Sequence, residues 1–285
     1  MKNFKGVFTA LITPFQKSEV DYASLLKVAK FQLDRGVNGF VINGTTAESP
    51  TLNEAERKKI FKSMKDQFGS QTTLIMGTGT NSTDETIART KEAAELGADA
   101  ALVVVPYYNK PPQRGLFEHF KKVAERSSIP VIIYNVPSRT VAKLEVETIA
   151  QLSKVKNIIG IKEASGDIEF AKKIRLKTSK EFILLSGDDL SYAEFMKAGG
   201  DGIISVGAHI LPREFVAVQN QKLEALIPHM GLLNNLYVEA NPIPVKMALS
   251  LMSLIISPAL RLPLVEMAED LVPQLEKSMR ESGLL

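Results

Sequence analysis

The sequence predicts an α/β fold, a (β/α)8 TIM barrel with additional C-terminal helices, and three features carry that expectation. Eight short apolar runs recur roughly every 25 to 35 residues. They are nearly continuous in Val, Ile and Leu, the pattern of parallel strands covered on both faces and not the alternation of a half-exposed sheet. The segments between them carry apolar residues at helical spacing. A weak internal repeat joins helix to strand at Gly36-Val37-Asn38-Gly39, Gly97-Ala98-Asp99-Ala100 and Gly199-Gly200-Asp201-Gly202, with the first glycine suited to a left-handed helix end.

The first run, Gly6 to Thr13, leads to a helical segment marked by Leu25, Leu26, Ala29 and Leu33. The second, Gly39 to Thr46, is followed by Thr51 with Glu54, spaced as a capping box, and then by Ile60, Phe61, Met64 and Phe68 on one helical face. After the third run, Thr72 to Thr78, Ser82 with Glu85 repeats the capping spacing. Runs four to six are Ala100 to Tyr108, Pro130 to Asn135 and Ile158 to Lys162. The seventh, Phe182 to Gly187, precedes Ser191 with Glu194, and the eighth is Gly202 to Gly207. At 285 residues the chain exceeds a bare barrel of about 250 residues. The excess reads as helices, so we expect a barrel over 1–212 and a helical extension packed on it over 213–285.

Composition narrows the chemistry. A net charge of +3 on an ordinary soluble balance gives no nucleic-acid signal. No run is long enough to span a bilayer, and the first residues lack the layout of a signal peptide, so no membrane partner and a cytoplasmic location are expected. The absence of cysteine removes disulfides, thiolate zinc sites and a Cys nucleophile. His119, His209 and His229 are far apart and unpaired, which leaves little for a metal centre or a Ser-His-Asp relay. They read as packing or surface residues, and neither a metal nor a cofactor is expected.

In a parallel barrel the active site is built where the strands end. The sixth run ends in Lys162. That lysine either snorkels to the barrel mouth or, pushed toward its neutral amine by apolar neighbours, attacks a ketone to form a Schiff base. Neighbouring ends supply Asn43-Gly44-Thr45-Thr46-Ala47-Glu48, Pro106-Tyr107-Tyr108-Asn109 and Tyr134-Asn135-Val136-Pro137-Ser138-Arg139. Singly these read as turn and packing residues. Together their hydroxyls can pass protons and the arginine can clamp a carboxylate. Glu48 could brace its own loop or take part in chemistry. Asp188 and Asp189 at the seventh end would repel a phosphate.

Five blocks, Gly44-Thr45-Thr46-x-Glu48-Ser49, Pro106-Tyr107-Tyr108-Asn109, Tyr134 to Thr140, Gly160-Ile161-Lys162-Glu163 and Asn241-Pro242-Ile243-Pro244-Val245-Lys246, give the chain a resemblance to the dihydrodipicolinate synthase family of pyruvate-dependent class I aldolases. It runs from Gly6 to Leu285. The resemblance implies a condensation of pyruvate with L-aspartate-4-semialdehyde in lysine and diaminopimelate biosynthesis. Lys162 would form the Schiff base, with Tyr134 the main proton donor and acceptor, linked through Thr45 to Tyr108. Thr46 would hold the pyruvate carboxylate, Gly187 and Ile204 would shape the pocket, and Arg139 would bind the semialdehyde carboxylate. It also implies a homodimer in which Tyr108 reaches across from the partner, with pairing into a homotetramer as the further step.

Three positions depart from the family pattern. Ala47 and Val141 stand where glycines are usual, and Ala240 where a proline is. If the backbone at Ala47 had positive φ, its methyl group would strain and shift the loop. The alternatives are a sialic acid or keto-deoxy-sugar lyase, which gives no reason for a cation at Arg139, and a catalytically silent barrel used for binding.

Overall fold

The computed structural model describes residues 2–285. Eight parallel strands form a closed barrel, β1 (Gly6–Ala10), β4 (Gly39–Ile42), β5 (Thr73–Gly77), β6 (Ala100–Val104), β7 (Val131–Asn135), β8 (Ile158–Glu163), β9 (Ile183–Ser186) and β10 (Gly202–Ser205). This is the expected architecture. A short antiparallel hairpin, β2 (Phe15–Gln16) with β3 (Glu19–Val20), adds to it without a counterpart in the sequence pattern. The helices are α1 (Tyr22–Leu33), α2 (Glu54–Phe68), α3 (Thr83–Glu95), α4 (Gln113–Glu125), α5 (Pro137–Thr140), α6 (Val146–Leu152), α7 (Ile168–Lys177), α8 (Tyr192–Lys197), α9 (Pro212–Gln219), α10 (Met230–Asn235), α11 (Ile243–Leu251) and α12 (Val272–Glu281).

Two compact units can be distinguished. The first contains Thr73–Ile204 and the chain up to Gly6. Its core takes Ala101 and Val103 of β6, Val131 and Ile133 of β7, Ile161 of β8 and Leu184 of β9, together with Leu116, Phe120, Ile149, Ile174 and Phe195 from the helices. These strand residues share one parity, as side chains alternate along a strand. Leu102, Ile132, Tyr134, Gly160 and Lys162 have the other parity. The second unit contains Val7–Thr72 and Ser205–Leu285. Here β1 pairs with β4, and Leu25, Val28, Phe61, Met64, Phe215, Leu233, Leu249 and Leu275 are fully buried.

The repeated turn sets strand register. Gly36, Gly97 and Gly199 adopt φ of 93°, 83° and 90°. Two residues later, Asn38, Asp99 and Asp201 each accept from a backbone N–H on the neighbouring strand: Val7 at 2.8 Å, Leu74 at 2.8 Å and Leu184 at 3.0 Å. The backbone N–H of each donates to the carbonyl of that same strand residue at 2.7, 2.9 and 2.8 Å respectively.

Helix starts correct the expected caps. Asn53 with Glu56, and not Thr51 with Glu54, forms the capping box of α2, because Ser49–Thr51 is spent on a 3-10 turn. Ser82 caps α3 alone, since Glu85 pairs with Arg89 at 2.6 Å. The Ser191 hydroxyl donates to Asp188 at 2.5 Å and caps nothing.

His209 is a structural residue, as expected. Burial lowers its pKa to about 4, so the ring is neutral and accepts from the Ile12 N–H at 3.1 Å. No helix among the described residues is long and apolar enough to cross a membrane, and no group of three or more His, Cys, Asp or Glu among them could hold a metal ion.

Candidate active site

In the first unit, Tyr134 on β7 lies in register with Lys162 on β8. The lysine is 6% exposed, and its Nζ stands 4.3 Å from the centre of the Tyr134 ring. Burial lowers the Lys162 pKa to about 7; the negative charge of Asp189 opposes this and the Arg139 guanidinium adds to it. At neutral pH a large fraction of the amine is therefore unprotonated and nucleophilic.

One residue further along, Asn135 and Glu163 are also in register. The Asn135 amide donates to Glu163 Oε2 at 2.7 Å and accepts from the Leu144 N–H at 3.1 Å. The Ser165 N–H donates to Glu163 Oε1 at 2.7 Å. Burial pushes the Glu163 carboxyl upward, and these hydrogen bonds pull against it. The clamp fixes the last residue pair of both strands and with it the Tyr134–Lys162 pair beside it.

Gly187 makes room for the lysine. A Cβ there would sit 2.7 Å from Lys162 Cε and 2.5 Å from the Ala164 Cβ. Ile204 is buried in β10. Arg139 is exposed on the one-turn helix α5. Tyr108 stands apart, 87% exposed at a φ of 72°, on a loop that Asn109 ties to the Asn81 carbonyl at 2.8 Å.

Val141 caps α5 with φ 61° and ψ −20° while 71% exposed. A β-branched residue is strained there, and this one has little packing to lose. A glycine at this position would relieve the strain at some cost in unfolded-chain entropy. Val141→Gly should therefore stabilise the protein by about 0.5–1 kcal/mol and raise Tm by about 1–3 °C in a thermal melt. An unchanged or lower Tm would show that the loop carries no such strain.

The second unit holds Thr45 and Thr46, on the 3-10 turn Thr45–Ala47. Ala47 belongs to that turn, and the left-handed conformation falls on Glu48, at φ 55°. The methyl group therefore strains nothing, and the expected loop shift has no cause. Glu48 is a brace: Lys246 Nζ donates to its Oε1 at 2.6 Å and the Arg261 N–H to its Oε2 at 2.9 Å. Lys246 also donates to the Ala259 carbonyl at 2.7 Å. The Arg261 guanidinium grips both oxygens of Glu56, at 2.6 and 2.8 Å. Burial lowers the Lys246 pKa to about 8, against the attraction of Glu48. Asn241 donates from Nδ2 to Thr46 Oγ1 at 2.9 Å.

The structure thus brings together Lys162, Tyr134 and Gly187, with Arg139 and Asp189 acting on the lysine by charge. The sequence presents Asp189 only as an obstacle to phosphate. It assigns no role to Asn241 or Lys246, although both stand in the block Asn241-Pro242-Ile243-Pro244-Val245-Lys246 that carries part of the resemblance.

Comparison with known proteins gives one consistent result. The model of the "Dihydrodipicolinate synthetase family" matches residues 3–282. A 4-hydroxy-tetrahydrodipicolinate synthase of Bdellovibrio bacteriovorus is 51% identical, over 100% of both chains. The dihydrodipicolinate synthase of Thermotoga maritima superposes with a TM-score of 0.96 at 41% identity, covering 99% of each chain. That of Acinetobacter baumannii, solved in complex with pyruvate, superposes with a TM-score of 0.96 at 39% identity, covering 99% of this chain and 100% of its own.

Proposed function

Because the chain belongs to the dihydrodipicolinate synthetase family, we infer that it condenses pyruvate with L-aspartate-4-semialdehyde through a Schiff base on Lys162. The observation that carries this reading is the buried Lys162 amine, lowered to about 7 and set over the ring of Tyr134. The amine adds to the pyruvate ketone and water leaves, giving an imine. Loss of a methyl proton converts the imine to an enamine, whose carbon attacks the semialdehyde carbonyl. The amine of the bound semialdehyde then attacks the imine carbon, the ring closes and Lys162 is released. Overall one water is lost and no electrons are exchanged.

We assign the proton transfers to Tyr134, connected through Thr45 to Tyr108. Thr46 holds the pyruvate carboxylate, Arg139 binds that of the semialdehyde, and Gly187 and Ile204 shape the pocket. The cationic Arg139 favours an acidic second substrate over the polyol of a sugar lyase. Residues 213–285 serve the barrel as an extension, and the protein works in the cytoplasm. Borohydride reduction with pyruvate, followed by mass mapping, tests the reading: one three-carbon acid should be fixed to Lys162, and an adduct on Lys246 would refute it.

The pH dependence has a definite sign. Only the neutral amine attacks, so the rate of imine formation should rise with pH and level off once pH passes about 7. An unperturbed lysine would keep gaining about tenfold per unit up to about 10.4. Stopped-flow measurement of imine formation from pH 5.5 to 9 separates the two, and a rate still climbing at pH 9 would contradict a lowered pKa.

Tyr108, exposed at the rim, completes the relay from a second subunit, so the active species is a homodimer, with further pairing into a homotetramer as the finer question. Sedimentation of the active enzyme should find no monomer that retains full turnover.

A further inference from the structure

We propose that Asn241 is a positioning residue for Thr46, fixing the direction in which the threonine hydroxyl gives its proton. This rests on the reading of Thr46 as the group that holds the pyruvate carboxylate. A hydroxyl has one proton and two lone pairs, whereas a carboxylate only accepts. Thr46 must therefore act as a donor when pyruvate is bound. Asn241 Nδ2 donates to Thr46 Oγ1 at 2.9 Å, which occupies a lone pair and leaves the hydroxyl proton to be given elsewhere. Thr46 is only 3% exposed, so bulk water has little access with which to do the same.

The rest of the loop is already immobilised. Thr13 Oγ1 donates to the Ala47 carbonyl at 2.9 Å, and the Thr51 hydroxyl to the Glu48 carbonyl at 3.0 Å. The Glu48 side chain is tied by Lys246 and by the Arg261 N–H. With the loop tied beyond Thr46 in this way, its hydroxyl can still rotate, and the Asn241 donor restricts that rotation by turning the O–H away from itself. Asn241 immediately precedes Pro242 and α11, the helix that also carries Lys246, so one short stretch braces the loop and orients its hydroxyl.

A double-mutant cycle on pyruvate KM and kcat tests this. Asn241→Ala should raise the pyruvate KM about tenfold, the scale of one hydrogen bond to a charged group, with kcat within about twofold of wild type. Asn241→Asp keeps the shape but accepts from the Thr46 hydroxyl, and should raise KM further. In a Thr46→Val background Asn241→Ala should add less than about twofold, because nothing is left to orient. Additive effects, an unchanged KM in Asn241→Ala, or a loss confined to kcat would overturn the proposal. If Asn241→Ala does not fold, the isosteric Asn241→Asp, made both in the wild type and in the Thr46→Val background, decides in the same way. Borohydride trapping separates failures: no adduct on Lys162 in wild type refutes the reaction, whereas an adduct with unmoved KM refutes only the role of Asn241.

Discussion

Lys162→Ala is expected to lose the borohydride-trapped pyruvate adduct completely and to lower kcat at least about a thousandfold, the scale on which removal of a covalent nucleophile acts. Lys246, the other lysine buried in the described residues, cannot substitute. Its Nζ is held by Glu48 at 2.6 Å and by the Ala259 carbonyl at 2.7 Å, with Phe15 beneath it at 4.3 Å. Glu48 opposes the loss of the amine's proton, so that at about 8 the Lys246 pKa stays above that of Lys162 and most of this amine is charged at neutral pH. Lys162 meets opposite charge in the field of Asp189, which burial outweighs. Mass mapping of the reduced protein together with a steady-state assay decides the matter. Substantial turnover in Lys162→Ala would end the Schiff-base mechanism.

Gly187→Ala is expected to be strongly damaging, although it removes no functional group. The added methyl would lie 2.7 Å from Lys162 Cε and 3.1 Å from its Cγ, with the Ala164 Cβ at 2.5 Å on the other side. No real Cβ survives such distances, so either the lysine chain or the strand end must move. The Gly187 N–H donates to the Glu163 carbonyl at 2.7 Å, and because the Ala164 Cβ cannot swing aside, both this strand end and the lysine beside it are displaced. A displacement of about 1 Å at a reacting atom costs on the order of a hundredfold in rate. The overpacking should also cost about 1–3 kcal/mol of stability. Turnover within a few fold of wild type would mean that the pocket has slack the packing does not show.

Much of this is legible in the sequence because the barrel repeats one unit. All eight apolar runs contain strands, but several runs extend past the strand ends. The ladder stops at Ala10, Ile42 and Val104, short of the expected Thr13, Thr46 and Tyr108. The residues beyond remain apolar or hydroxylic yet turn into 3-10 and irregular backbone, and hydropathy does not register that change. The cap of α2 lies two residues beyond the expected one because Thr51-x-x-Glu54 and Asn53-x-x-Glu56 carry the same signature, and only the intervening turn chooses between them. Lys162 and Tyr134 can be named from their position at strand ends. The partners of Glu48 and Thr46 cannot, since Lys246 and Asn241 lie 198 and 195 residues away. No local pattern encodes a contact at that separation.

The latches at Asn38, Asp99 and Asp201 hold their strand pairs at the end where the strands begin, over sequence separations of 31, 25 and 17 residues. The pair β7 and β8 is different. Its register shifts between Val131 and Ile132 at the beginning, and its side-chain clamp, Asn135 to Glu163, lies at the finish. A slip of one residue turns every side chain of a strand to the opposite face. For this pair a slip would strand the buried Glu163 carboxylate without Asn135 in the same step that separates Lys162 from Tyr134. Pairing and alignment are therefore coupled at this seam: the slip that separates Lys162 from Tyr134 also leaves the buried Glu163 with one hydrogen bond fewer, at a cost in stability.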